Sequence, residues 1–179
     1  MGFDLRQMKV RGRVWKFGDS IETDAINPYY RYPTMEELKQ HTMEVYRPEF
    51  PQQVKPGDIM VTGRNFGCGS SRPGLVLREV GVAAIIAGSV SRLFLRNSIS
   101  RAIPIFVAPG VTGIVQDGET LEVDYPKGVV VNTKNGASVA IRKYPPAIEQ
   151  IFECGGLPEF AYERYMREQA LQKSPAGGR

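Results

Sequence analysis

Ser70, Ser71 and Arg72 stand near the end of the stretch GRNFGCGSSRPG, residues 63–74, which also carries four glycines and one thiol, Cys68. A serine acts as a base or nucleophile only where surrounding donors and cations lower its proton affinity. An arginine beside it suits a carboxylate, because the planar guanidinium holds one through two parallel hydrogen bonds. Glycines adopt positive φ without steric cost, so successive backbone N–H groups can converge on an anion. The same composition also fits a phosphate cradle, a metal corner, or a plain turn whose serine caps the next helix.

Several of these readings weaken on inspection. A phosphate loop of the form GxxxxGK[ST] needs a lysine that the stretch lacks, and GCGSSR supplies only the first half of a dinucleotide fingerprint. The anion-binding logic of a glycine-rich strand-to-helix turn survives both failures. A metal corner needs convergent ligands, whereas Cys68 has no second ligand nearby and the single histidine, His41, falls on a separate predicted helix. One histidine and the order GCGSS also argue against a Ser-His-Asp hydrolase with its GxSxG elbow. An activated serine and a merely structural turn remain open on residue types alone.

The elements that must position this loop follow from periodicity. Met8 to Phe17 alternates apolar and basic residues, the pattern of a half-exposed strand. A polar segment with Asp19, Thr23 and Asp24 leads to Pro28. Thr34, with Glu37 three residues on, forms a capping-box pattern that opens a surface helix over 34–46, whose narrow apolar stripe is Met35, Leu38, Thr42 and Val45. DIMVTG, residues 58–63, is a short buried strand running into the loop. The apolar stretch that follows parses as a helix over 74–80, a strand over 83–87, a helix over 89–100 and a strand over 105–107. Helices alternating with short apolar strands predict an α/β core with a parallel component. After Gly110, alternation broken by DG, PKG and NG turns predicts β-hairpins. Two short helices separated by Gly155-Gly156 close the fold, and the tail 171–179 is expected to be disordered. The expected architecture is one α/β domain over 1–170 with a mixed β core, flanking helices and a β-hairpin-rich second half.

Composition sets the class. The chain has 179 residues, 42% hydrophobic and 23% charged, which suits an ordinary globular domain. A net charge of +4 mildly favours anionic ligands, but the arginines are spread out and no basic run suggests nucleic acid. Cys68 and Cys154 lack CxxC spacing and read as free thiols of a reducing compartment. With no apolar run of membrane-spanning length and no signal-peptide core at the N-terminus, the chain is expected to be cytoplasmic and to bind neither membrane nor nucleic acid.

Four blocks, in order and at similar spacing, give the sequence a family likeness spanning residues 8–162. GRNFGCGSSR resembles the GxNFGxGSSR signature of the small subunit of 3-isopropylmalate dehydratase and of the aconitase swivel domain. GDSIETDAINP resembles that family's DTDxIIP segment. VAAIIAGSVSRLFLRNSISRAIPI resembles its IIAxSFxxIFxRNAxNxGLP stretch, and CGGLPEF its closing GGLxEY. The resemblance implies a swivel-type α/β domain and a hydro-lyase that moves a hydroxyl between neighbouring carbons of a 2-hydroxy di- or tricarboxylic acid, as in leucine biosynthesis. It also implies a larger partner subunit carrying a [4Fe-4S] cluster, with no metal on this chain. Ser70 corresponds to the base and Ser71 and Arg72 to carboxylate contacts, while Thr23 and Asp24 match the second motif near the active site. A nest of N–H donors and cations is what a serine of high intrinsic pKa needs for such a role.

The sequence departs from the family where SSRPGL replaces the usual SSREHA, with Pro73-Gly74 in place of Glu-His, and where Arg101-Ala102 precede Pro104. Residues 27–41 fall where the family places a substrate-selecting loop, so Tyr29, Tyr30, Arg31 and Tyr32 are candidates for reading the substrate's distal group. Rival readings are a non-catalytic carboxylate-binding or regulatory module, motivated by Pro73-Gly74, and a homoaconitase-type or other dehydratase subunit. The isolated chain is also a candidate homo-oligomer.

Overall fold

The computed structural model describes residues 2–173. In chain order its elements are β1 (Lys9–Lys16), α1 (Thr23–Ile26), α2 (Met35–His41), α3 (Phe50–Gln53), β2 (Ile59–Thr62), α4 (Leu75–Glu79), β3 (Ala84–Ala87), α5 (Arg92–Ile99), β4 (Ile105–Val107), α6 (Val111–Ile114), β5 (Thr120–Asp124), β6 (Val129–Asn132), β7 (Ser138–Ala140), α7 (Pro146–Cys154) and α8 (Leu157–Lys173). The strands form one mixed sheet in the order β4-β3-β2-β1-β5-β6-β7. Its β4-β3-β2-β1 half is parallel and its β1-β5-β6-β7 half antiparallel. The α/β architecture with a hairpin-rich second half is therefore as expected.

Burial on both faces explains why the parallel strands read as continuous apolar runs. Along β2, Ile59 and Val61 enter one core, and Met60 enters the other. Ala84 and Ile86 of β3 likewise oppose Ile85 and Ala87, the period-two alternation of a pleated strand. Strand β1 joins the halves: Lys9 to Arg13 pair antiparallel with β5, and Val14 to Lys16 pair parallel with β2. Only the second stretch is covered on both faces, so the strand's apolar-basic alternation gives way to the buried pair Val14-Trp15. Trp15 is pinned there by Nε1 donating to Asp58 Oδ2 at 2.8 Å and by an edge-to-face contact with Phe50.

The antiparallel half is held by polar contacts as well as by its apolar face. Buried Asn132 donates through Nδ2 to the carbonyl of Ile114 and to Glu119 Oε2, each at 2.8 Å. Glu119 also accepts from the Gln116 N–H, the largest influence on a carboxyl pKa lowered to about 2. A carboxyl whose folded pKa lies below its unfolded value stabilises the fold above the unfolded pKa, and that contribution disappears as pH falls through the folded one. The stability gap between the native chain and Glu119→Gln should thus be full above about pH 5 and close as pH falls toward about 2. Denaturant midpoints across that range check it, and a gap that does not change with pH would contradict it.

Four boundaries differ from the sequence reading. The capping box at Thr34 and Glu37 forms as expected, but α2 ends at His41, because Met43 takes φ +62° and its N–H donates to the Ala25 carbonyl. Asp117-Gly118 makes no hairpin; it folds onto β1, with Asp117 Oδ1 accepting the Lys16 N–H and the Gly118 N–H donating to the Val14 carbonyl. Gly155 and Gly156 do separate the closing helices, at φ +94° and +145°, yet α8 is 17 residues rather than a short helix. It therefore takes in residues 171–173 of the expected tail, and the remainder of that tail lies outside the described residues. No helix among the described residues is long and apolar enough to cross a membrane.

Candidate active site

The site lies at the carboxyl ends of the parallel strands, where open α/β sheets leave a crevice between diverging loops. The chain leaving β1 (residues 17–27) and the one leaving β2 (63–74) continue side by side. Ser20 N–H donates to the Arg64 carbonyl at 2.7 Å, Gly67 N–H to Ile21 at 2.8 Å and Thr23 N–H to Cys68 at 2.8 Å. On the other flank the Phe66 N–H donates to the Ser89 carbonyl at 3.0 Å and the Phe66 carbonyl accepts from the Ser91 N–H at 2.9 Å, both serines lying in the loop after β3. Asp19 fastens the base of the crevice. Its Oδ1 accepts the Arg64 N–H at 2.7 Å, which holds its carboxyl below the usual carboxylate range.

The glycines have specific tasks. Gly67 takes φ +74°, and a Cβ there would lie 2.2 Å from the ring of Phe94. That ring packs edge-to-face on Phe66 at 5.2 Å, and both are fully buried, so the loop rests on a rigid floor. Gly67→Ala should destabilise the chain by about 2–4 kcal/mol, combining left-handed backbone strain with overpacking. Urea midpoints test this; a loss under about 0.5 kcal/mol, the range of a neutral surface change, would show that the loop does not need its glycine. Gly69, at φ +105°, leaves room for Thr23 Oγ1, which a Cβ would approach to 3.1 Å.

Five of the six expected site residues come together. Thr23 Oγ1 accepts the Ser70 N–H at 2.8 Å and lies 2.9 Å from Ser70 Oγ. Arg72 reaches Asp24 Oδ1 at 3.0 Å and the Asn27 carbonyl at 3.5 Å through one terminal nitrogen. Its guanidinium carbon lies over the Tyr30 ring, 4.5 Å from the centre, and 6.0 Å from the centre of the Tyr29 ring. With one nitrogen engaged and the cation held over the Tyr30 ring, the rest of the fork remains for a planar anion. Ser71 is exposed at the mouth, its carbonyl accepting from Asn97 Nδ2 of α5. Arg31 stands apart: it lines a neighbouring cleft of about 330 Å³ with Glu22, Asp24, Tyr30, His41 and Glu44. The two sites share Asp24 and Tyr30.

Two expectations about the loop need correction. Neither serine caps a helix, nor do the hydroxyls sit at a helix start: α4 begins at Leu75, after a Gly74 N-cap without a side-chain bond. The ring of donors is also smaller than expected. The N–H groups of Phe66, Gly67 and Cys68 bond to carbonyls and that of Ser70 to Thr23, which leaves those of Gly69, Ser71 and Arg72 without a partner among the described residues. Pro73-Gly74 fits this frame: the Pro73 carbonyl accepts from Asn27 Nδ2 at 3.0 Å, and Gly74 is buried with its Cβ position 3.0 Å from Phe94. Asn27 is the residue that sequence reasoning missed, since an Asn before a proline reads as turn chemistry. Here it ties both loops together, donating to one and accepting from Arg72.

Cys68 is half-buried, with Sγ 3.6 Å from the Ile21 carbonyl, while Cys154 ends α7. Among the described residues no three His, Cys, Asp or Glu side chains converge as metal ligands. The residues of this chain do not fit an iron–sulfur cluster, which takes several thiolates.

A parallel-edged sheet whose strand ends present a glycine-rich serine–arginine loop defines an aconitase-type swivel domain, and the family model for the aconitase C-terminal domain matches residues 6–108. Over 165 residues the chain is 40% identical to the 3-isopropylmalate dehydratase small subunit of Thermodesulfovibrio yellowstonii, covering 90% of this chain and 98% of the relative. It is 45% identical over 163 residues to 3-isopropylmalate dehydratase small subunit 1 of Archaeoglobus fulgidus, covering 89% and 99%. The crystal structure of 3-isopropylmalate dehydratase from Methanocaldococcus jannaschii matches with a TM-score of 0.83 at 34% identity, covering 92% of this chain and 99% of that one. The chain belongs to the family of 3-isopropylmalate dehydratase small subunits.

Proposed function

We propose that this chain completes the active site of a two-subunit hydro-lyase, with Ser70 as the base and Arg72 as the carboxylate clamp. The observation that carries the reading is the juxtaposition of Ser70 Oγ, the buried Thr23 hydroxyl, and an Arg72 held by Asp24 and lying over Tyr30, on two adjoining loops. Bound through one carboxylate on Arg72 and Ser71, a hydroxy dicarboxylate presents a carbon-bound proton to Ser70. The Ser70 alkoxide takes that proton; the C–H pair becomes the new π bond, and the hydroxyl leaves with its own bonding pair. Readdition at the neighbouring carbon reverses these steps. Carbanionic charge developing on the carboxylate side is met by Arg72 and by the free N–H groups of Gly69, Ser71 and Arg72.

The Lewis acid for the departing hydroxyl is assigned to a [4Fe-4S] cluster on the larger partner, in keeping with the small-subunit names of the relatives. A relative in Methanocaldococcus jannaschii, 41% identical over 164 residues, is named for both isopropylmalate and citramalate. Arg31, in the neighbouring cleft, is the candidate for distinguishing such substrates by their distal groups. The chain is proposed to work in the cytoplasm. Anaerobic mixing with a cluster-bearing large subunit should restore isomerisation of 3-isopropylmalate or citramalate. Failure with both, together with calorimetric binding of a hydroxy dicarboxylate by the isolated chain, would instead favour a non-catalytic binding module.

A further inference from the structure

The Thr23 side chain settles the direction of the bond it shares with Ser70. Thr23 has no exposed surface, so its hydroxyl hydrogen cannot bond to bulk water. A threonine hydroxyl has one proton to give, and buried hydroxyls give it to an acceptor. Around Thr23 Oγ1 only two polar neighbours lie within hydrogen-bond distance among the described residues. The Ser70 N–H, at 2.8 Å, is itself a donor, and Ser70 Oγ, at 2.9 Å, is the remaining acceptor. Ser70 is half-buried, and its hydroxyl has no acceptor besides Thr23 Oγ1 among the described residues, so its own proton is free to turn to solvent or substrate.

We propose that Thr23 is a positioning residue that donates a fixed hydrogen bond to Ser70 Oγ and so favours the ionised form of the base. The inference rests on reading Ser70 as that base. The Ser70 N–H donates to Thr23 Oγ1, and Thr23 donates back to Ser70 Oγ, so the two residues close a small ring. This ring fixes the Ser70 rotamer and polarises the threonine hydroxyl. The bond needs no reorganisation when charge appears on Ser70, because α1 and the Thr23 N–H bond to the Cys68 carbonyl hold the threonine in place. Gly69 completes the arrangement, since a Cβ there would press on the threonine oxygen at 3.1 Å.

The test uses the enzyme assembled from this chain and a cluster-bearing large subunit, with 3-isopropylmalate as probe. Thr23→Val removes the donor but keeps the shape. It should lower kcat about 10²-fold with KM changed less than about threefold, as for loss of one oxyanion donor. The acid limb of the kcat–pH profile should move to higher pH, because without the donor Ser70 binds its proton more tightly. Thr23→Ser, which keeps the hydroxyl, should restore both the rate and the position of the limb. If Thr23→Val does not assemble, Thr23→Ala is read in the same way. An unshifted profile in the hydroxyl-free variant, or equal losses in the valine and serine variants, would overturn the proposal. Ser70→Ala in parallel separates the two ideas. An active Ser70→Ala refutes the base itself, whereas an inactive Ser70→Ala beside a fully active Thr23→Val refutes only the role of Thr23.

Discussion

Ser70→Ala is expected to lower kcat of the assembled enzyme by about 10³-fold while KM changes less than about threefold, within the usual range for loss of a positioned base. Alanine has no oxygen to receive the proton or to accept from the Thr23 hydroxyl, but the contacts that hold the carboxylate clamp do not change. The residue 70 N–H still donates to Thr23 Oγ1, and Arg72 keeps its contacts to Asp24 and Asn27. Substrate should therefore still bind through its carboxylate. Removing Ser70 Oγ leaves the buried Thr23 hydroxyl without its acceptor, so the variant should lose about 1–3 kcal/mol of stability and melt lower while remaining folded. Steady-state kinetics and a thermal melt on the same preparation give both readings. A variant with native kcat would remove Ser70 from the chemistry, and one that fails to fold would place the serine among the structural residues.

The second large effect belongs to Arg72. Lysine keeps the charge but not the planar fork that can hold a carboxylate through two parallel hydrogen bonds. Charge-assisted hydrogen bonds contribute about 1.5–3 kcal/mol each, so loss of one of a bidentate pair amounts to roughly 10²-fold. Arg72→Lys should raise KM by about that factor and leave kcat within about fivefold, because the ammonium still meets the charge that develops in the reaction and what is lost is the two-bond hold on the carboxylate, made equally in ground and transition states. Arg72→Ala should cost more, since it also leaves Asp24 facing the substrate carboxylate without its cation. Substrate titrations of the two variants decide the point. A lysine variant with the native KM would show that the guanidinium plane is not what holds the carboxylate.

Some of this site was legible in the residues and some was not, for physical reasons. The serine–arginine pair and its glycines declare themselves because a positive φ and a close backbone approach admit almost nothing else. Gly67 against Phe94 is the case in point. The buried strands around Ile59–Thr62 and Ala84–Ala87 were equally plain, since burial on both faces leaves only apolar residues. What stayed hidden depends on contacts between segments distant in sequence. Asn27 joins two loops across 46 residues, and nothing local distinguishes it from an ordinary turn asparagine. Arg31, expected from its loop as a reader of the substrate's distal group, is carried by the turn after Pro28 into the adjoining cleft, which shares Asp24 and Tyr30 with the serine–arginine site, and no local pattern distinguishes that cleft from the main one. The length of α8 was hidden for another reason: along residues 157–171 its side chains are almost all exposed, so no apolar period marks it. Glu163–Arg167 and Arg164–Glu168, each four residues apart, and good helix formers sustain it instead.

The central claim is that Ser70 removes the carbon-bound proton of the substrate. Deuterium incorporation at the reacting carbon, followed by NMR with 3-isopropylmalate in D₂O, addresses that step apart from net turnover. The complex containing the native chain should incorporate deuterium as the alkene forms and is rehydrated. The complex containing Ser70→Ala, with its assembly confirmed by co-elution, should incorporate it at least about 10²-fold more slowly. Incorporation at the native rate by the alanine variant would contradict the account.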